Sequence, residues 1–360
     1  MMGMSTTRTL GHVLRTAAAR WPDKVAFETT DGNTVTFGAF NQRVNALNNA
    51  IAAFGVKKGA RIAILSKNRP EYIEVYGLSK SGYVVVPLNW RLASSELIKL
   101  LEHSQPDVII VDESHLEIAQ TLRAAVRCLS HCILIGEVYS EGWHSYEELV
   151  SSGDNSEPLI SAYDDDVLSI IYTSGTTGNP KGVAMLHRAA LGHVDVASHQ
   201  LQITEADVTM AVMPLFHVGG MWYHLFPSFA SGSTTLMLSD FDPGIVLREL
   251  ESKRISNVHL VPTMIGALVD HPNAGKTDLS GLRSLFYAAS SIPPNLLHKA
   301  MQTFPKCGFV QGYGSTEGGM ISVLSAQAHR RAMQQGEERL LTSCGMPYPQ
   351  RQVRIVDDLG

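Results

Sequence analysis

Ile171-Tyr172-Thr173-Ser174-Gly175-Thr176-Thr177-Gly178-Asn179-Pro180-Lys181-Gly182-Val183 is the stretch on which the reading of this chain turns. An apolar, strand-like run, 167–172, leads into a loop dense in hydroxyl residues and glycines and closed by a lysine. Glycines let a backbone turn tightly and bring its N–H groups up to an anion. The hydroxyls add donors and Lys181 adds positive charge, so the composition predicts phosphate binding. The loop differs from that of kinases and GTPases, where a Gly-Lys pair precedes Ser or Thr. Here Lys181 stands between Pro180 and Gly182. A flexible Gly/Ser/Thr linker is the competing reading, against which stand the Pro-Lys-Gly ending and the strand running straight into the loop.

Two further segments close apolar runs in the same way. Met213-Pro214-Leu215-Phe216-His217-Val218-Gly219-Gly220 follows the run 208–212, and Gln311-Gly312-Tyr313-Gly314-Ser315-Thr316-Glu317 follows Phe309-Val310. With these three motifs, in this order and at these spacings, the chain resembles the adenylate-forming enzymes: acyl- and aryl-CoA synthetases, luciferases and adenylation domains of peptide synthetases. The Pro-Leu-Phe-His and Gly-Tyr-Gly-Ser-Thr-Glu versions are most similar to acyl-CoA synthetases. The resemblance runs from 14–27, with Arg20-Trp21-Pro22-Asp23-Lys24, to the last residue.

That resemblance implies attack of a carboxylate on the α-phosphate of ATP, giving an acyl-adenylate and pyrophosphate, then transfer of the acyl group to the thiol of coenzyme A. Thr173, Ser174, Gly175, Thr176, Thr177, Gly178 and Lys181 would hold the β- and γ-phosphates; for Lys181 a salt bridge that fixes the loop is the plainer alternative. Glu317 would bind Mg²⁺, because hard cations take carboxylate oxygens, and Thr316 would donate to the α-phosphate. Tyr313 would stack on adenine, Gln311 and Gly312 would adjoin it, and Ala288, Ala289 and Ser290 would cover its other face, with Ala-Ala in place of the usual Gly-Gly or Gly-Ala pair. His217 would gate or contact the acid, the alternative being a buried, satisfied histidine. The acyl pocket falls to His217, Gly219, Gly220, Met221, Trp222, Tyr223 and Gly312. Met221 holds the place of the gating tryptophan of long-chain relatives, and bulky Trp222 and Tyr223 favour a compact or aromatic acid if they face the pocket. An acyl-AMP ligase loading a carrier protein and a non-catalytic nucleotide- or acyl-binding module are the alternatives.

Composition bounds these expectations. The content is 44% hydrophobic and 18% charged, ordinary for a soluble globular protein. The net charge of −5, from 29 basic and 34 acidic residues, argues against nucleic acid or an anionic membrane as the main partner. No apolar run reaches transmembrane length and 1–10 lacks a secretory core, so the cytoplasm is the expected location. A homodimer stands among the allowed assemblies. The four cysteines, Cys128, Cys132, Cys307 and Cys344, read as buried reduced thiols.

Along the chain, strand-like runs at 61–65, 83–88, 108–111, 132–135, 167–172, 208–212, 234–238, 258–261, 285–288 and 309–310 alternate with helical patterns at 37–51, 71–80, 116–126 and 188–201. Alternation of this kind predicts an α/β fold with parallel, doubly covered sheets. We expect two doubly wound subdomains, 1–165 and 166–325, the second with the ATP and acyl sites, and a small β-barrel beginning at 326–360. The segment 153–166 reads as a surface connection and 326–338 as an exposed helix. Gln352-Val353-Arg354-Ile355-Val356 reads as a strand and 357–360 as its turn. An unpaired edge there reads as a fragment end, slow or inactive in the full reaction. The resemblance places the rest of the barrel and a mobile domain beyond it, with a lysine for adenylation and an Asp for the ribose.

Overall fold

The computed structural model describes residues 8–173, 180–349 and 351–357. Among the described residues sixteen strands form two sheets. The first eight are β1 (Val25–Thr29), β2 (Thr34–Thr36), β3 (Arg61–Leu65), β4 (Val84–Pro87), β5 (Val108–Asp112), β6 (His131–Ile135), β7 (His144–Ser145) and β8 (Val167–Thr173). The rest are β9 (Lys181–Leu186), β10 (Val208–Ala211), β11 (Thr234–Met237), β12 (Asn257–Leu260), β13 (Ser284–Tyr287), β14 (Gly308–Ser315), β15 (Gly319–Leu324) and β16 (Met346–Pro347).

One sheet runs β7-β6-β5-β3-β4-β8-β9 and the other β16-β15-β14-β13-β12-β10-β11-β1-β2. Both are parallel at their centres and end in antiparallel hairpins, β8 with β9 and β14 with β15. Central strands such as Arg61–Leu65 and Val108–Asp112 are near-continuous Val/Ile/Leu runs because both faces are covered. In β3, Ile62 and Ile64 pack into the layer shared by the two sheets, while Ala63 and Leu65 face a separate outer cluster. The shared layer holds side chains from the helices Leu10–Arg20, Phe37–Ala53, Pro70–Tyr76 and His187–Gln200, together with Ala211, Met237 and Phe286 of the larger sheet. Helix starts are fixed locally: Ala39 N–H donates to Thr36 Oγ1 (3.1 Å) and Ile245 N–H to Asp242 Oδ1 (2.8 Å).

The mixed α/β class and its parallel sheets follow the expectation, and the details depart from it in four places. The sheets do not divide the chain at 165/166: β8 and β9 belong to the sheet built from β3–β7, and β1 and β2 join the later one. The segment 351–357 forms no strand and is exposed, because no described strand offers it a ladder; β16, the strand before it, pairs with β15 in the larger sheet. The helix Ala326–Gln335 is exposed on one side only, since His329 and Ala332 are buried and His329 Nε2 lies 2.9 Å from Tyr287 Oη. Cys132 is buried, but Cys344 is exposed. The connection 153–166 is irregular as expected; Asn49 Nδ2 donates to the carbonyls of Asp154 (2.8 Å) and Ser156 (3.0 Å). Among the described residues no helix is long and apolar enough to cross a membrane.

Candidate nucleotide and acid site

Parallel strands present their carboxyl ends on one side of a sheet, where ligands bind in open α/β folds. Three of the sequence motifs lie at such ends. The first spans the β8–β9 hairpin: Tyr172 pairs with Gly182 and Thr173 with Lys181, which sets the two ends of the loop side by side. Lys181 is exposed and Thr173 half-buried. Ser174, Gly175, Thr176, Thr177 and Gly178 lie outside the described residues. Tyr172 Oη lies 2.7 Å from His103 Nδ1, which ties the foot of the hairpin to the helix Ser94–Ser104.

The second motif departs from the expected strand-then-turn. β14 continues through Ser315, because Gln311, Gly312 and Tyr313 pair with Leu324, Val323 and Ser322 of β15. The turn falls at 316–318, where Gly318 N–H donates to Ser315 Oγ (2.9 Å). Thr316 is half-buried and Glu317 exposed at this tip. Two glycines permit the close packing: a Cβ on Gly314 would stand 2.2 Å from Gly319 O, and one on Gly312 2.7 Å from Phe286 Cζ. Tyr313 is 50% exposed, an unusual position for a tyrosine within a strand of a large sheet. The neighbouring Gln311 is the reverse case: its Oε1 is buried and accepts no hydrogen bond. Gln311 pairs with Tyr287 of β13, and Ala288, Ala289 and Ser290 follow that strand. Ala289 and Ser290 are exposed, and Ala289 has φ +76°, a left-handed conformation that strains a residue with a Cβ.

The third motif is clamped from the other sheet. Asn68, after β3, donates from Nδ2 to Met213 O (2.9 Å) and accepts from Leu215 N–H (3.0 Å). His217 is exposed, which removes the reading of a buried core histidine. Its pKa is lowered by desolvation and then by the Arg91 cation. Arg91 lies 4.8 Å from the Trp90 ring centroid, and Trp90 meets Phe216 edge-on at 6.5 Å. Gly219 and Gly220 open the next turn, and Met221, Trp222 and Tyr223 are buried in the π-helical segment Met221–Leu225. The Trp222 indole stacks on Phe226 at 4.6 Å and meets Tyr76 at 5.7 Å, so this ring is engaged in core packing.

Two histidines absent from the sequence reading join these pieces. His193, on the helix that follows the β8–β9 hairpin, lies where a Cβ on Gly319 would come within 2.2 Å of its ring. It thereby links the first motif's helix to a residue two beyond Glu317. His259 of β12 lies between Gly219 and Phe286 and so joins the second and third motifs. Burial of a histidine within an apolar strand pattern is the one signal that could have marked it. Among the described residues no group of three or more His, Cys, Asp or Glu side chains is placed to hold a metal ion.

Motifs on the carboxyl ends of two parallel sheets, joined by one helix, place the candidate site where open α/β folds bind ligands. Residues 14–360 match the family of AMP-binding enzymes, and the chain belongs to that family. It is 32% identical over 299 residues, 83% of its length, to a feruloyl-CoA synthase of an Amycolatopsis species. It is 29% identical over 336 residues, 92% of its length, to a fatty acid–[acyl-carrier-protein] ligase of Streptomyces coeruleorubidus. The chain spans 57% and 62% of the length of these two relatives. In fold it is similar to an anthranilate CoA ligase crystallised with anthranoyl-AMP, with a TM-score of 0.90 at 23% identity, over 98% of this chain and 67% of that one.

Proposed function

We propose that this chain carries the nucleotide and acid sites of an ATP-dependent carboxylic acid–CoA ligase. In that reading the acid and ATP give acyl-AMP and pyrophosphate, and CoA thiol then takes the acyl group with release of AMP. The observation that carries it is the pair on β14: a buried Gln311 Oε1 with no donor beside an exposed Tyr313 ring. An acceptor without a partner next to a free aromatic face matches adenine, which offers an exocyclic N–H and a flat ring.

Both reacting partners are anions, so the site must supply positive charge and donors where charge accumulates. Lys181 and the hydroxyls of the first loop serve the departing phosphates, and Thr316 the α-phosphate. Glu317, alone at its turn, suits Mg²⁺, which is bound through one or two carboxylates with phosphate and water completing the shell. The ion would neutralise phosphate charge. His217 needs no basic role, since a carboxylic acid is already ionised at neutral pH; exposed at the start of its turn, it would contact the acid. Transfer to a carrier-protein thiol is the second reading, supported by the carrier-protein ligase among the relatives.

Calorimetric titration with ATP and with non-hydrolysable acyl-adenylates tests the site. Tyr313→Ala should weaken both by about ten- to a hundredfold, the worth of one base–aromatic stack, with the unfolding midpoint unchanged because the ring is half exposed. Equal affinity of the variant and the parent chain would remove adenine from β14.

A further inference from the structure

A cavity of about 470 Å³ lies between the helix His187–Gln200 and the segment 348–351. None of the described residues that line it belongs to the three motifs. Its chemistry is one-sided. Arg188, His193, Tyr348 and Arg351 face it, and none of the described lining residues is Asp or Glu, in a chain whose net charge is −5. Leu186, Val196 and Pro349 supply an apolar wall. Gly192 keeps the helix side open, since a Cβ there would meet no atom within 4 Å.

One group in this wall has no partner. Tyr348 is 3% exposed, and its Oη makes no hydrogen bond among the described residues. Its backbone is fixed: the N–H donates to Ile321 O (2.8 Å) and the carbonyl accepts from Arg351 N–H (2.9 Å). A buried hydroxyl without a partner is rare in native structures, and an acceptor on a ligand accounts for it. Burial, and secondarily Tyr223, push the Tyr348 pKa above the ordinary tyrosine value, so the O–H stays protonated as a donor.

Positive charge gathers at the same wall. A Cβ on Gly319 would stand 3.3 Å from Arg351 Nη2 and 2.2 Å from His193 Nε2, so guanidinium and imidazole meet at one point of the β14–β15 hairpin. Burial, and then the Arg351 cation, lower the His193 pKa to about 4, which leaves that ring neutral at pH 7. Arg188 is already engaged with Asp165 (2.5 Å). Arg351 and Tyr348 are therefore the pair suited to recognise an anion.

We propose that this cavity is a second ligand site, which takes a small organic anion with its oxyanion group between the Tyr348 hydroxyl and the Arg351 guanidinium and its apolar body against Leu186, Val196 and Pro349. A charged oxygen accepts strongly from both donors. The volume is that of a small-molecule pocket and exceeds what a bare inorganic oxyanion fills. The inference stands apart from the ligase reading.

Benzoate and phenyl phosphate, with benzamide as the neutral control, should be titrated calorimetrically into this chain, with and without a saturating non-hydrolysable benzoyl-adenylate. At least one anion should bind about tenfold tighter than benzamide and keep its affinity when the adenylate is present. Whichever binds tighter names the oxyanion, carboxylate or phosphate. Tyr348→Phe and Arg351→Gln should each weaken that anion about tenfold, with the unfolding midpoint unchanged. Anions that bind no tighter than benzamide, affinity undiminished in both folded variants, or binding abolished by the adenylate would overturn the proposal. Failure of the ligase reading would look different, as no heat from the adenylate alone while the anion still binds and still responds to both variants.

Discussion

The two hairpins that close the two sheets are built alike but carry their motifs in different places. Each is an antiparallel strand pair on the edge of a parallel array, and each carries a motif. In the β8–β9 hairpin the strands stop at Thr173 and Lys181, and the motif lies in the connection between them. In the β14–β15 hairpin the motif is the strand, and the connection shrinks to 316–318. A phosphate must be surrounded by donors, which a loop's backbone can supply. A purine needs a flat ring and a fixed acceptor, which a strand presents at set intervals. On the proposed function, the same architecture would present one motif in a connection between strands and the other on a strand.

Both hairpins lean on one helix, His187–Gln200, and acid is the strongest way to break that dependence. His187, at its start, accepts from Leu10 N–H at Nδ1 (3.1 Å), and His193 packs on Gly319 of the second hairpin. Burial lowers both pKa values to about 4, with Arg351 adding to the effect at His193. Their unfolded value is about 6.5. Between pH 4 and 6.5 the unfolded chain binds more protons, so stability is complete above 6.5 and falls as pH drops toward 4. Each ring contributes up to about 1.4 kcal/mol per pH unit in that window. His224, His259 and His329 are buried with lowered values as well and steepen the slope. Unfolding midpoints measured across this range should fall steeply, and less steeply in His193→Gln. A flat profile would mean that these rings are hydrated in solution.

Glycine substitution separates the two hairpins. A Cβ at Gly314 meets the backbone oxygen of Gly319, which cannot swing away, whereas one at Gly182 meets the Ile170 Cγ2 methyl at 2.6 Å, a side-chain rather than a backbone atom. Gly314→Val should cost about 3 kcal/mol and Gly182→Ala about 1 kcal/mol, read as shifts in denaturant midpoint at constant m. Equal costs would show that the β14–β15 hairpin yields as readily as the other.

These contrasts also mark how far the sequence could be read. Val/Ile runs such as 61–65 and 108–111 announce strands because burial on both faces leaves no polar position. The three motifs were legible for a different reason, since glycines and hydroxyls at strand ends serve a chemical need. What stayed hidden depends on distant pairing. Nothing local in Val25–Thr29 says that it lies beside β11, and Gln311–Ser315 reads as a turn until β15 is there to make it a strand. His259 is one polar letter in an apolar run. Only packing shows that the ring is buried, tilted against Phe286 at 4.6 Å. Asn68, which clamps the Pro-Leu-Phe-His segment across the sheets, carries no local signal either.

Ala289 gives the smallest expected effect and the finest test of the second hairpin's surroundings. It lies two residues past the end of β13, the strand beside β14, with φ +76°, where the resemblance led us to expect glycine in the pair. The left-handed conformation costs an alanine roughly 1–2 kcal/mol. Glycine removes that strain but gives up roughly 0.5–1 kcal/mol through its freer unfolded chain. Ala289→Gly should therefore gain about 0.5 kcal/mol, seen as a small rise in denaturant midpoint. ATP titration of the same variant then reports what the methyl does at an exposed position next to the proposed adenine face. Stabilisation with unchanged affinity would place the methyl clear of the base, and stabilisation with weaker affinity would show that the strain is retained because the methyl packs on it. A destabilised variant would show that this position is not strained at all.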